Sequence, residues 1–169
     1  FAYSNRNGNE RGLVLYQNKY AETRGWIKNS AASMDRATGR LVQKKLSEAL
    51  SLPLDGYAIF KDFVTGLEYI RSCHELVVKG LYVELGSYQS QVFLDWRFVT
   101  GDQWNVLYES LHGAGTPSIY GKLDEMFSKK KEKEIVSKKR MKSNETRSRK
   151  KITKSAKLSV VPESKEKKE

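Results

Sequence analysis

Tyr88-Gln89-Ser90-Gln91-Val92-Phe93-Leu94-Asp95-Trp96-Arg97-Phe98-Val99 is the stretch that decides the fold class. Successive side chains of an extended chain point to opposite faces. Here Tyr88, Ser90, Val92, Leu94, Trp96 and Phe98 share one face, and Gln89, Gln91, Phe93, Asp95, Arg97 and Val99 share the other. The first set is mostly apolar and the second mostly polar, which is the pattern of an antiparallel strand wet on one side. Strict alternation puts Val92, Leu94, Trp96 and Phe98 in the core. It makes this strand a central element.

Working back from it, Leu81, Val83 and Leu85 alternate against Tyr82 and Glu84, and Gly86-Ser87 breaks the run. Before that, Tyr57-Ala58-Ile59-Phe60-Lys61-Asp62-Phe63 meets Val64-Thr65-Gly66 and resumes as Leu67-Glu68-Tyr69-Ile70-Arg71-Ser72, a hairpin signature. Ser72 is placed to N-cap a short helix over Cys73–Val78, with Gly80 to end it. Leu46, Ala49 and Leu50 suit one or two helical turns stopped by Pro53, and 25–42 suits a hairpin around Ala37-Thr38-Gly39-Arg40. Leu13-Val14-Leu15-Tyr16 has strand length, while 4–12 reads as turn and loop. In the other direction the period changes after Gly101. Trp104, Leu107, Tyr108 and Leu111 follow helical spacing up to Gly113, and Ser118 opens a second short helix holding Ile119, Leu123, Met126 and Phe127.

The 169 residues suffice for one ordinary domain. Residues 1–128 carry 14 Lys+Arg and 14 Asp+Glu, and residues 129–169 carry the other 17 and 6. All 18 aromatic residues precede residue 129, so the net charge of +11 belongs to a tail that cannot bury enough apolar area to order itself. The fold class is therefore mainly β. An antiparallel β-sandwich-like domain with short helices is expected over 13–128, after a polar lead-in (1–12) and before a disordered Lys-rich tail (129–169).

No apolar run approaches the ~20 residues of a membrane span, so no membrane partner is expected. Cys73 is the sole cysteine, which excludes an intrachain disulfide framework and a multi-thiolate zinc site and fits a reducing, cytoplasmic setting. His74 and His112 are isolated, and no cofactor or metal is expected. A Cys73–His112 dyad would need distant segments brought together, and a buried inert thiol is the simpler expectation. Asp62 with Glu68, or Asp95 with Asp102, are the carboxylate pairs on offer; Asp62 and Glu68 flank a turn, where solvated rim charges are the norm. Gly113-Ala114-Gly115-Thr116-Pro117 lacks a Gly-Lys-Ser/Thr continuation and reads as a linker rather than a phosphate loop. In the tail, Lys129-Lys130-Lys131, Lys138-Lys139-Arg140 and Arg147-Ser148-Arg149-Lys150-Lys151 would give weak, salt-sensitive polyanion binding. The sequon Asn144-Glu145-Thr146 reads as a chance match.

Aromatic rings are the remaining chemical lead, because flat rings stack on the apolar faces of sugars. Trp96 and Trp104 fall on apolar faces and are expected in the core. Trp26 sits in a polar, loop-like setting with Tyr20 and Arg24 nearby, and a ring tucked under the first strand is slightly favoured over an accessible one. Trp26, Arg24 and Tyr20 are the candidate ligand-binding residues, with Lys28 and Asn29 as further polar neighbours. No catalytic and no metal-ligating residue is assigned.

Several ordered blocks carry a resemblance. They are Leu13 through Ala32, Leu41-Val42-Gln43 with Glu48-Ala49-Leu50, Phe60-Lys61-Asp62, Thr65-Gly66-Leu67-Glu68-Tyr69, Gly80-Leu81-Tyr82-Val83-Glu84-Leu85, and Val92-Phe93-Leu94-Asp95. Over about residues 11–127 the chain resembles the region after the catalytic barrel in large bacterial proteins of the α-amylase family of glycoside hydrolases. In that family a (β/α)₈ barrel bears an Asp nucleophile and a Glu acid/base, and an antiparallel β-domain follows. The barrel signatures are not in this chain, so no family catalytic residue carries over, and the Lys-rich tail departs from the pattern. The resemblance, together with a chain that opens on Phe1, implies a fragment whose partner is a preceding catalytic barrel. The function it implies is that of a non-catalytic accessory domain of an α-glucan-active enzyme. The alternatives are a free-standing carbohydrate-binding module and a basic adaptor that binds nucleic acid through its tail.

Overall fold

The computed structural model describes residues 1–129. Five antiparallel strands form the main sheet in the order β1 (Ala2–Asn7), β2 (Glu10–Tyr16), β9 (Ser90–Val99), β6 (Tyr57–Asp62), β7 (Glu68–Ser72). The remaining strands form two two-stranded ribbons, β3 (Thr23–Ile27) with β8 (Leu81–Leu85), and β4 (Ser33–Met34) with β5 (Leu41–Val42). Three helices, α1 (Leu46–Ala49), α2 (Cys73–Val78) and α3 (Asp102–Leu111), complete the labelled elements, and 119–129 is helical. The protein is mainly β and antiparallel with short helices, as its alternation implies.

Layering follows from the pleat. Leu13 and Leu15 of β2, Ala58 and Phe60 of β6, and Phe93 and Trp96 of β9 share one core with Leu46, Leu50, Cys73, Leu76, Leu81 and Leu85 from the helices and β8. Phe60 is its hub, with ring centroids 4.4 Å from Trp96 and 5.0 Å from Phe93. The ribbon β3–β8 with α1 and α2 thus forms a second layer over one face of the sheet, which buries the apolar phase of β8. Ile59 and Ile70 are paired across β6 and β7 and point the other way. On that side Trp104 and Leu107 of α3, with Ile119 and Leu123, are also buried. Tyr57 Oη donates to Asn105 Oδ1 at 2.7 Å and ties α3 to that face.

The central strand corrects its own alternation. Ile59 pairs with Arg97 but Lys61 pairs with Leu94, so β9 carries one residue more than β6 over this interval. Asp95 is the extra residue, with φ +54°. This is a β-bulge, which shifts the phase of every residue beyond it. Phe93 and Trp96 therefore share the core face although they are three apart, and Val92 and Leu94 lie on the opposite face, half-buried. Trp96 and Phe98 keep the predicted side; Val92 and Leu94 do not.

Three further expectations change. Residues 4–12 are not loop throughout: β1 pairs with β2 from Ala2↔Leu15 to Asn7↔Glu10 around Gly8, which takes φ +58°. Trp26 lies in a strand, not in a loop. The 25–42 hairpin is shortened to 33–42, because Gly25-Trp26-Ile27 pair with β8 instead; the other local readings hold. The 57–72 hairpin forms, Ser72 Oγ accepts from Glu75 N, β4 and β5 pair around the 35–40 turn, and Ser118 Oγ accepts from Gly121 N at the start of the helical stretch. Contacts divide the chain after Asp124, within that stretch. Lys129 is helical, and the remainder of the expected tail, with its basic clusters and the sequon, lies outside the described residues.

Candidate functional site

Trp26 of β3 stands directly opposite Tyr82 of β8, with Arg24 opposite Glu84 two residues along on the same face. The other phase of the ribbon, Leu81 and Leu85, is buried, which turns this pair of rings outward. Trp26 is 50% exposed and Tyr82 41%, with centroids 5.3 Å apart and planes inclined at 60°. Lys79 Nζ lies 5.7 Å from the Trp26 centroid, within reach of a cation–π contact.

Gly80 makes this placement possible. It ends α2 and starts β8 at φ +94°, and a Cβ there would lie 2.3 Å from the Ile27 carbonyl oxygen. Only glycine allows the two backbones so close.

Across from the ribbon, Arg71 of β7, Glu75 of α2, and Tyr108 and Glu109 of α3 with His112 complete a groove of about 650 Å³. Glu75 joins its two helices: Oε1 accepts from Lys79 Nζ at 2.9 Å and Oε2 from Tyr108 Oη at 3.0 Å. The Lys79 ammonium holds the Glu75 carboxyl below its ordinary value against the opposing effect of burial, and the Tyr108 hydroxyl adds to the lowering. Burial, the bond to Glu75 and nearby negative charge push Tyr108 up. Arg71 donates from its two terminal nitrogens to the Ile70 and Gly113 carbonyls, both at 2.9 Å, and makes no ion pair among the described residues. Burial draws its guanidinium below the ordinary value. Three of its five N–H bonds stay uncommitted to these carbonyls. His112 caps α3 in the left-handed conformation, φ +46°, with its side chain exposed.

Of the predicted ligand residues, Trp26 lines this groove and Arg24 lies on the same ribbon face. Arg24 lines a separate depression with Glu84 and Gln89. Tyr20 is 87% exposed in the loop before β3 and is not among the residues lining the groove. The expectation that Trp26 is tucked beneath the first strand is corrected: its strand's other phase faces the core. Asn29 bridges to Lys45 beyond the end of β3.

The remaining candidates have structural places. Asp62 is fully buried, not a rim charge; Oδ1 accepts from Val64 N and Val92 N at 3.1 Å, and Oδ2 from Thr65 Oγ1 at 2.8 Å. Glu68 pairs with Lys61 in the ladder, so it projects to the face opposite Asp62 and the two carboxylates do not meet. Instead Glu68 is bound by Arg97 and by Ile119 N at 2.8 Å. Asp95 occupies the bulge and Asp102 the first turn of α3. Cys73 is sealed in the core, where burial pushes its thiol up to about 11, and His112 is on the surface. Among the described residues no three His, Cys, Asp or Glu side chains are grouped to hold a metal ion. The 113–117 linker is a strap across β7: Thr116 exchanges backbone bonds with Glu68, and a Cβ on Gly115 would lie 2.8 Å from the Tyr69 ring.

No family model, curated protein or solved structure matches the chain. The site therefore rests on its own geometry.

Proposed function

We propose that the described domain is a non-catalytic accessory domain of an α-glucan-active glycoside hydrolase, contacting glucan through the outer face of the β3–β8 ribbon. The observation that carries the reading is the pair of rings inclined at 60°. Coplanar rings suit a flat, extended polysaccharide. An α-linked glucan turns at every axial linkage, so successive sugars present inclined faces, and an angled pair of rings follows that turn. Exposed aromatic rings beside charged hydrogen-bonding groups combine an apolar surface with orienting polar contacts. The ordered sequence blocks point to the same class of parent enzyme. On the sheet face opposite the core, exposed Tyr3 and half-buried Val14 and Val92 form a cross-strand row beside Leu94, and this is the surface the reading assigns to the catalytic barrel. The carboxylates Asp62, Glu68 and Glu75 are all engaged in structural bonds, which suits a binding role.

Titration of the full chain with maltoheptaose, followed by tryptophan fluorescence, tests the proposal. Saturable binding without release of reducing sugar is expected, with the fluorescence change lost in Trp26→Phe and the affinity lost in Trp26→Ala. Full affinity in Trp26→Ala, or hydrolysis abolished by substituting an acid of this domain, refutes it.

A further inference from the structure

The ring pair is one wall of a groove whose other wall is polar, and that wall identifies the part of the ligand it meets. Arg71 is half-buried and anchored at both terminal nitrogens to backbone carbonyls, so its guanidinium is held in one orientation. The two bonded carbonyls are neutral, the Glu75 carboxylate acts on it without a direct ion pair, and its guanidinium lies 5.5 Å from the Tyr69 ring centroid, so a fixed cation that lines the groove keeps three N–H bonds these carbonyls do not take. Such a donor has one preferred class of partner, an array of oxygen lone pairs. Glu109 and His112 are both exposed on the groove, at the end of α3. Glu109 accepts hydrogen bonds only, and a neutral His112 both donates and accepts. Each Glu75 oxygen already holds a protein partner, Lys79 or Tyr108, so Glu75 fixes the wall.

A bound anion would satisfy Arg71 but would face the Glu109 carboxylate in the same groove. A purely apolar ligand would leave the remaining Arg71 N–H donors without partners, at a cost in desolvation. Vicinal hydroxyls meet both demands, because each O–H accepts from Arg71 and donates to Glu109. We propose that the groove is a saccharide-binding subsite for neutral pyranose units. In it Tyr82 and Trp26 form the stacking wall, Arg71, Glu109 and His112 read the hydroxyls, and Glu75 is a positioning residue. The ligand-reading residues thus come from β7 and α3, and Arg24 and Tyr20 stand outside. The inference rests on the glucan reading for the identity of the sugar, and on the groove alone for its place.

The test uses the full chain and isothermal titration with maltoheptaose, cellohexaose and xylohexaose. Glu109→Gln and His112→Asn change exposed groups, and asparagine tolerates the left-handed conformation at His112; both folds are checked by circular dichroism. Tyr82→Ala and Glu109→Gln are each expected to weaken binding on the order of tenfold, whereas Arg24→Ala and Tyr20→Ala leave it within twofold. Maltoheptaose binding that is unchanged in Tyr82→Ala and Glu109→Gln overturns the groove and leaves the accessory-domain reading standing. Binding of cellohexaose or xylohexaose alone, lost in the same variants, supports the groove and overturns the α-glucan reading. No binding of any of the three at millimolar concentration overturns the groove.

Discussion

Phe93 and Leu94 are adjacent, and the bulge at Asp95 reverses which of them matters. Phe93 is 5% exposed and lies edge-on to Phe60 at 5.0 Å and to Tyr69 at 6.2 Å. Phe93→Ala removes a buried aromatic and leaves a cavity, a change that costs about 3–5 kcal/mol, including the two ring contacts at roughly 0.5–1.5 kcal/mol each. Leu94 is half-buried against Gly12 on the other face, so Leu94→Ala loses about half of a full leucine burial, roughly 1 kcal/mol. A third variant tests the backbone. In a regular strand Asp95→Val, an exposed change to a good strand former, would be neutral or better. At φ +54° a β-branched residue is strained, and the same change is expected to cost about 1–3 kcal/mol. Urea unfolding of the full chain measures all three. With m near 2 kcal/mol/M, Phe93→Ala lowers the midpoint by about 2 M and Leu94→Ala by about 0.5 M. A larger loss in Leu94→Ala than in Phe93→Ala, or a neutral Asp95→Val, refutes the bulge and restores strict alternation.

Gly80→Ala is expected to cost at least ~3 kcal/mol, because its Cβ meets the Ile27 carbonyl and φ is +94°; a melting temperature within 2–3 °C of the parent, taking roughly 4–8 °C per kcal/mol for a small domain, refutes the close approach. Glu68 gives a pH signature: burial raises its carboxyl, but the Ile119 amide and the Arg97 guanidinium outweigh burial and hold it below the ordinary 4.5. A depressed folded value means that its stabilisation is complete above the unfolded value and is lost as pH falls through the folded one. Glu68→Gln should therefore be less stable than the parent at pH 7 by about 1 kcal/mol or more, with the gap closing below about pH 4.5; a gap that stays constant from pH 7 to pH 3 sinks this assignment.

Local signals made most of the elements legible. Ser72 and Gly80 bracket α2 because each supplies what its position needs, a side-chain acceptor at one end and a left-handed backbone at the other. The 57–72 hairpin and β8 show their period because one face of each is buried. Where that contrast is missing the signal fails. Every residue of β1 is exposed, so Ser4, Asn5, Arg6 and Asn7 carry no alternation and read as loop, although Asn7-Gly8-Asn9-Glu10 is itself a hairpin turn. The bulge was invisible for a different reason. One residue in the left-handed region changes the phase of a strand without altering its composition, and Asp95 is a residue type that accepts that conformation. Asp62 looks like a rim charge in the sequence because the turn beside it is a local signal. Its burial depends on Val92, a strand away.

The groove was legible at one residue and no further, and the reason lies in the topology. Trp26 stood out because a large ring among Arg24, Lys28 and Asn29 contradicts its surroundings. Its neighbours in sequence part ways: alternation keeps Arg24 on the ribbon face, whereas Tyr20 precedes β3 and lies in the loop before it. The residues that do meet Trp26 across the groove come from β7, β8, α2 and α3. One of them left a usable trace. Tyr82 occupies the polar phase of β8, between Leu81 and Val83, where an aromatic ring cannot reach the core. Two such misplaced rings, each on a short strand of opposite phase to a buried face, would have predicted a paired outward surface. Arg71, Glu109 and His112 left none, because an arginine in a strand and two polar residues at the end of a helix suit any solvated surface. Their meaning appears only when the 113–117 strap and the glycine at position 80 bring the two walls to face one another, and that depends on contacts no single segment contains.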